Sequence, residues 1–256
     1  MEFGVKAYEK ALKELDFNLV QNGNKIELTK TGWDKMGDNC SCSNTKIKVK
    51  GSDKKTETFR IKNFHVDYVL QIPKRLNVDL ESNFGDINLA SIDGDATLKS
   101  AQGKVIAGDI GGVLNLDSRF GGTITVGNFK SGDISLTQCK SNFGACGDLK
   151  LHAQFSTVSF TKVGNLDVDA GQSDLTFTTS IDQLNGNIRF GKLIIEGHSK
   201  NITLNATQLK MEANKIDQFD LLGSFNSFKI KDVTNLSTTG GSQNKYTIGE
   251  LSNIKG

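Results

Sequence analysis

The stretch Leu76–Gly94, LNVDLESNFGDINLASIDG, is followed by Asp95–Gly112, DATLKSAQGKVIAGDIGG, and then by Val113–Phe129, VLNLDSRFGGTITVGNF. Leu80, Leu98 and Leu116 are 18 residues apart, as are Ser82, Ser100 and Ser118, and as are Gly85, Gly103 and Gly121. Three columns at one period define a repeat too short to bury its own apolar face, so successive copies must stack.

Followed onward from Leu80, the pattern places later repeat origins at Leu136, Leu151, Val168, Ile188, Leu204, Leu221 and Leu236, with spacings drifting between 15 and 20. Two positions earlier the residues are mostly apolar (Val78, Ala96, Leu114, Ile134, Leu149 and Leu166 among them), which gives each repeat an alternating, half-buried strand. Two positions after each origin stand Ser82, Ser100, Ser118, Gln138, Ala153, Ala170, Phe190, Ala206, Gly223 and Thr238, a mainly small column that predicts a tight inner corner. A second alternating strand follows at Ile87 and Leu89, Val105 and Ala107, Val158 and Phe160, Leu175 and Phe177, and Phe228 and Ile230. The expected fold is therefore all-β: a β-solenoid, or β-helix, of about ten short rungs over residues 73–256, with a right-handed coil as the expected hand. Glu81, Lys99 and Asp117 share an outward position in successive rungs and predict a solvated ladder of alternating charge.

Residues 1–72 read differently. Val5, Tyr8, Leu12 and Leu15 lie at helical spacing and predict one short amphipathic helix over residues 5–15. DFNLVQNGNKIELTK then alternates around Asn-Gly-Asn, a hairpin signal, and TKIKVKG, ETFRIKNF and HVDYVLQIP continue the two-residue period to Pro73. The expectation is an N-terminal helix with a strand and hairpin region packing on or capping the solenoid.

Composition narrows the function classes. The 256 residues carry a net charge of +2 with no basic block, which speaks against nucleic acid as a partner. No apolar run reaches the ~18 residues of a membrane span. Cys40, Cys42, Cys139 and Cys146 are too few for a disulfide scaffold, and His65, His152 and His198 lack ligand spacing, so neither a metal nor another cofactor is expected. Whether Cys40 pairs with Cys42, or Cys139 with Cys146, the spacing leaves open.

DYVLQIPKRLNVDLESNFGDINL resembles the opening of a bacterial adhesin-like family, a domain of unknown function related to auto-transporter adhesin head domains. The shared positions are Pro73, Leu76, Val78, Phe84, Gly85, Asp86 and Ile87, and the likeness runs from about His65 to the C-terminus. The resemblance implies a β-helix of the cell envelope, exported through the inner membrane with its signal peptide removed, and brings no catalytic residue with it. The outward positions are mostly Asp, Asn, Lys, Ser and Thr, which suit contact with a glycan or a surface protein without naming the partner.

Three rivals deserve weighing. A left-handed hexapeptide helix also uses 18 residues per turn, but Asp86 and Lys104 stand where its third side needs aliphatic residues. A calcium-binding β-roll requires repeated G-G-x-G-x-D, which GGVLNLD, GGTITVG and GGSQNKY all miss. A β-helix polysaccharide lyase or hydrolase would need carboxylates gathered on one face. Its candidates are Asp86, Asp93, Asp95 and Asp109, which fall in or beside Gly-rich turns where Asp commonly accepts backbone N–H bonds instead. Arg60, Arg75, Arg119 and Arg189 are scattered. The expectation is a non-catalytic protein.

Overall fold

Alternation with period two, interrupted by glycine and polar corners, leaves each segment one apolar face and no partner within itself. The chain answers by coiling. The computed structural model describes residues 72–255 in full, together with the backbone of four strands nearer the N-terminus. The chain divides into two compact units, Met1–Ile72 and Pro73–Gly256.

In the first unit, Asp16–Asn22 pairs antiparallel with Lys25–Thr31, with Asn22 opposite Lys25, the hairpin pairing expected on either side of Asn-Gly-Asn. Thr45–Lys50 pairs antiparallel with Thr56–Ile61. The helix expected at residues 5–15, the strand expected at 65–72, and Cys40 and Cys42 lie outside the described residues.

The second unit is a β-solenoid of about ten turns, a single 15-stranded sheet wound on itself in which every pairing is parallel. Leu80 faces Leu98 and Leu98 faces Leu116, as the 18-residue spacing requires. The column then runs through Ile134, Leu151, Val168, Gly186, Leu204, Leu221 and Thr238. Every step is 17 or 18 residues, and the drift between 15 and 20 disappears.

Three expected origins, Leu136, Ile188 and Leu236, are therefore displaced by two residues. Leu136 and Ile188 fill the corner column, opposite Ser118 and Ala170, and Leu236 fills the column of Phe219. The physical reason is that a strand offers two apolar frames two residues apart. Gly132 and Gly186 occupy inward positions without a side chain to mark them, so the neighbouring frame reads as the stronger one. Gly186 has room for nothing larger: at φ +150, a Cβ would lie 1.9 Å from the Val168 carbonyl oxygen.

Inside, the second strands stack as read, with Ile87 facing Val105 and Val158 facing Leu175. Phe143, Phe160 and Phe177 form a register column whose rings stack at centroid distances of 4.6 and 5.8 Å. These rings are buried, and each contributes roughly 2–3 kcal/mol by leaving water. Ser199 falls in the otherwise apolar column between Ile181 and Ile216, and its buried hydroxyl has no hydrogen-bond partner. Cys139 and Cys146 are buried free thiols. Burial, and secondarily the charge of Asp148, pushes the Cys146 thiol up to about 12.

Candidate functional site

Where each rung from the third onward leaves its first strand, the backbone turns through one residue of left-handed conformation. Those residues are Phe120, Gln138, Phe155, Gln172, Phe190, Gln208, Phe225 and Gln243, with φ between 49° and 63°. Neither Phe nor Gln favours that region, where glycine or asparagine would be cheaper. Their N–H groups stay in the ladder: Phe120 donates to the Thr137 carbonyl at 2.9 Å, Gln172 to Arg189 at 2.8 Å and Phe190 to Thr207 at 2.9 Å. At several of these corners the next residue turns inward and satisfies the backbone group that the break would strand. Ser156 Oγ accepts the Cys139 N–H at 3.1 Å, Ser173 Oγ accepts that of Ser156 at 3.0 Å, and Asn226 Oδ1 accepts that of Leu209 at 2.8 Å.

The corner residues point out. With Phe84 and Gln102 of the first two rungs they make one row in which Phe and Gln alternate without exception along ten rungs. Phe84, Phe120, Phe155, Phe190 and Phe225 are exposed by 72, 59, 54, 55 and 53%, whereas the interior phenylalanines are buried. Consecutive Phe are two rungs apart, about 9.6 Å. The sequence carried this signal as phenylalanines 35 or 36 residues apart with glutamines midway. A reading tuned to one rung missed it: Gln138 and Phe190, assigned above to the small inward column, are in fact members of the exposed row.

Two flat polar faces flank the corner. On the strand leading into it, Asp167, Asn185 and Thr203 are in register, as are Asp169, Asn187 and Asn205 beside them. Glu81, Lys99 and Asp117 stack as their spacing requires, although Asp117 takes Arg119 as its partner at 2.9 Å. On the strand leaving the corner, Glu212 lies 3.3 Å from Lys210 and 3.7 Å from Lys192. The hydrogen bond from Lys210, then the charge of Lys192, holds its carboxyl below the ordinary range.

The four carboxylates singled out from the sequence divide. Asp86 Oδ1 accepts the Lys104 N–H at 2.8 Å, Asp95 Oδ1 that of Val113 at 2.8 Å, and Asp109 Oδ1 that of Asn128 at 2.7 Å. Each bond reaches the next rung at a point where the strand is interrupted, so these side chains continue the ladder that the backbone drops. Asp93 and Asp109 line one open depression of about 430 Å³, with Ser91, Asn128 and Lys130. Asp86 and Asp95 are not among its lining residues. Among the described residues no three His, Cys, Asp or Glu side chains gather as metal ligands would.

No family model, curated protein or solved structure matches this chain.

Proposed function

We propose that this is a non-catalytic, exported, adhesin-like envelope protein whose solenoid presents its long polar faces to an extended partner, a glycan or a surface protein. The observation that supports the reading is the register of outward polar side chains, such as Asp167, Asn185 and Thr203, at one-rung intervals. A polymer laid along the axis meets polar side chains at regular spacing, and many weak contacts sum into useful retention. Three of the four turn carboxylates are already committed to backbone N–H groups, which favours a structural role for them.

The rival reading, a polysaccharide lyase or hydrolase, draws on Asp93 and Asp109 sharing one depression. One paired assay separates the two. The protein is incubated with acidic and neutral polysaccharides, with and without calcium, while retention and chain length are both followed. Retention without shortening supports the proposal. Depolymerisation that disappears in Asp93→Asn or Asp109→Asn replaces it with the enzyme. Fractionation of the native cell checks export: a protein confined to the cytoplasm contradicts that part.

A further inference from the structure

Five exposed phenylalanines in one row, four of them held in a backbone conformation their residue type disfavours, call for a reason that lies in their side chains. We propose that the corner row is a self-pairing interface, in which a second copy of this chain packs antiparallel against the first and each Phe sits opposite a Gln. This goes beyond the binding role argued for the flat faces and does not depend on it.

The parity of the row carries the argument. Because Phe and Gln alternate strictly, a copy reversed about a two-fold axis placed between Phe155 and Gln172 meets Phe with Gln at every rung from Phe84 to Gln243. Thus Phe155 opposes Gln172, and Phe190 opposes Gln138. A two-fold parallel to the solenoid axis would instead set ring on ring and amide on amide. An antiparallel pair is isologous and closes on itself.

The area is sufficient. Five rings exposed by half or more on each copy remove on the order of 1,000 Å² in total, the lower bound for a specific interface. The flanking charges are compatible: reversal places Asp86 opposite Lys245, and Lys104, Lys210 and Asp174 opposite the neutral Ser227, Thr123 and Thr157. Only Lys140 and Lys192 meet as like charges, and Lys192 already lies 3.7 Å from Glu212.

The test uses sedimentation equilibrium of the full chain and three variants: Phe155→Gln, Gln172→Phe and the exchange Phe155→Gln/Gln172→Phe. Both residue types occupy this corner conformation in neighbouring rungs, so thermal melts should stay near that of the parent and exclude misfolding. The parent is expected to dimerise, Phe155→Gln to weaken the dimer about tenfold or more by removing rings, and Gln172→Phe to weaken it although it adds apolar surface. The exchange should restore it, since every Phe again faces a Gln. A parent that stays monomeric at every attainable concentration overturns the proposal. So does tighter association of Gln172→Phe, or its stronger retention on vesicles of neutral lipid, since a merely sticky edge or a lipid-facing one would gain from the extra ring.

Discussion

Asp109 Oδ1 accepts the backbone N–H of Asn128 at 2.7 Å, from one rung to the next. Asn128 Oδ1 in turn accepts the N–H of Ala145 at 2.8 Å, and Ser91 Oγ that of Asp109 at 3.0 Å. A side-chain ladder therefore carries the stack across a corner where strands are broken. Asp109→Ala leaves the Asn128 N–H without its acceptor and should cost about 1–3 kcal/mol, while Asp109→Asn, which keeps a carbonyl oxygen there, should cost distinctly less. Urea midpoints of the two variants check this; equal losses would count against the ladder role.

Ser199 offers the opposite sign. Its hydroxyl is fully buried without a partner in a column of aliphatic residues. Ser199→Ala removes the unsatisfied group for little lost volume and should raise stability by about 1 kcal/mol. A lowered melting temperature would mean that the hydroxyl does have a partner.

Phe155 and Phe160 stand five residues apart on opposite sides of the wall, 54% and 1% exposed. Phe160→Ala should cost about 3–5 kcal/mol, because it empties the middle of a three-ring stack. Phe155→Gln should stay within about 0.5 kcal/mol in the monomer. Comparable losses would contradict the assignment of one ring to the core and the other to the surface.

Gly186 faces the Val168 carbonyl so closely that Gly186→Ala must move backbone. The expected cost is about 3 kcal/mol or more, and a melt unchanged from the parent would show that the register at this rung differs.

Cys146 gives a pH dependence. Its thiol is raised from 9.0 to about 12 in the folded chain, so the folded state holds its proton where the unfolded state releases it. The contribution is fully present below pH 9 and is lost as pH rises toward 12. Tyr246, raised by burial, acts in the same direction. Cys146→Ala should therefore flatten the fall in stability across that window without removing it; an unchanged slope would show that Cys146 is not shielded.

The stack itself was legible because Leu80, Leu98 and Leu116 recur at a strict interval and nothing but stacking buries them. The frame after Leu116 was harder: Gly132 and Gly186 point inward with no side chain to announce it, so Leu136 and Ile188 looked like the better matches. The role of Asp86, Asp95 and Asp109 was half visible, since Asp in Gly-rich turns does accept backbone N–H bonds. That the bonds run to the next rung depends on stacking, which local sequence does not state. The corner row escaped because its period is two rungs, and because phenylalanine in a repeat is ordinarily read as core.

All of this rests on ten rungs stacked in one line with the corner residues in a row, and distances between corner residues test that most directly. Spin labels attached through non-thiol chemistry at positions 138 and 208, four rungs apart, should lie about 19 Å from one another. Labels at positions 102 and 243, eight rungs apart, should lie about 38 Å apart, measured after dilution with unlabelled protein to silence pairs between copies. A second distance about twice the first is the expected result; two similar distances, or a shorter second one, would contradict the stack.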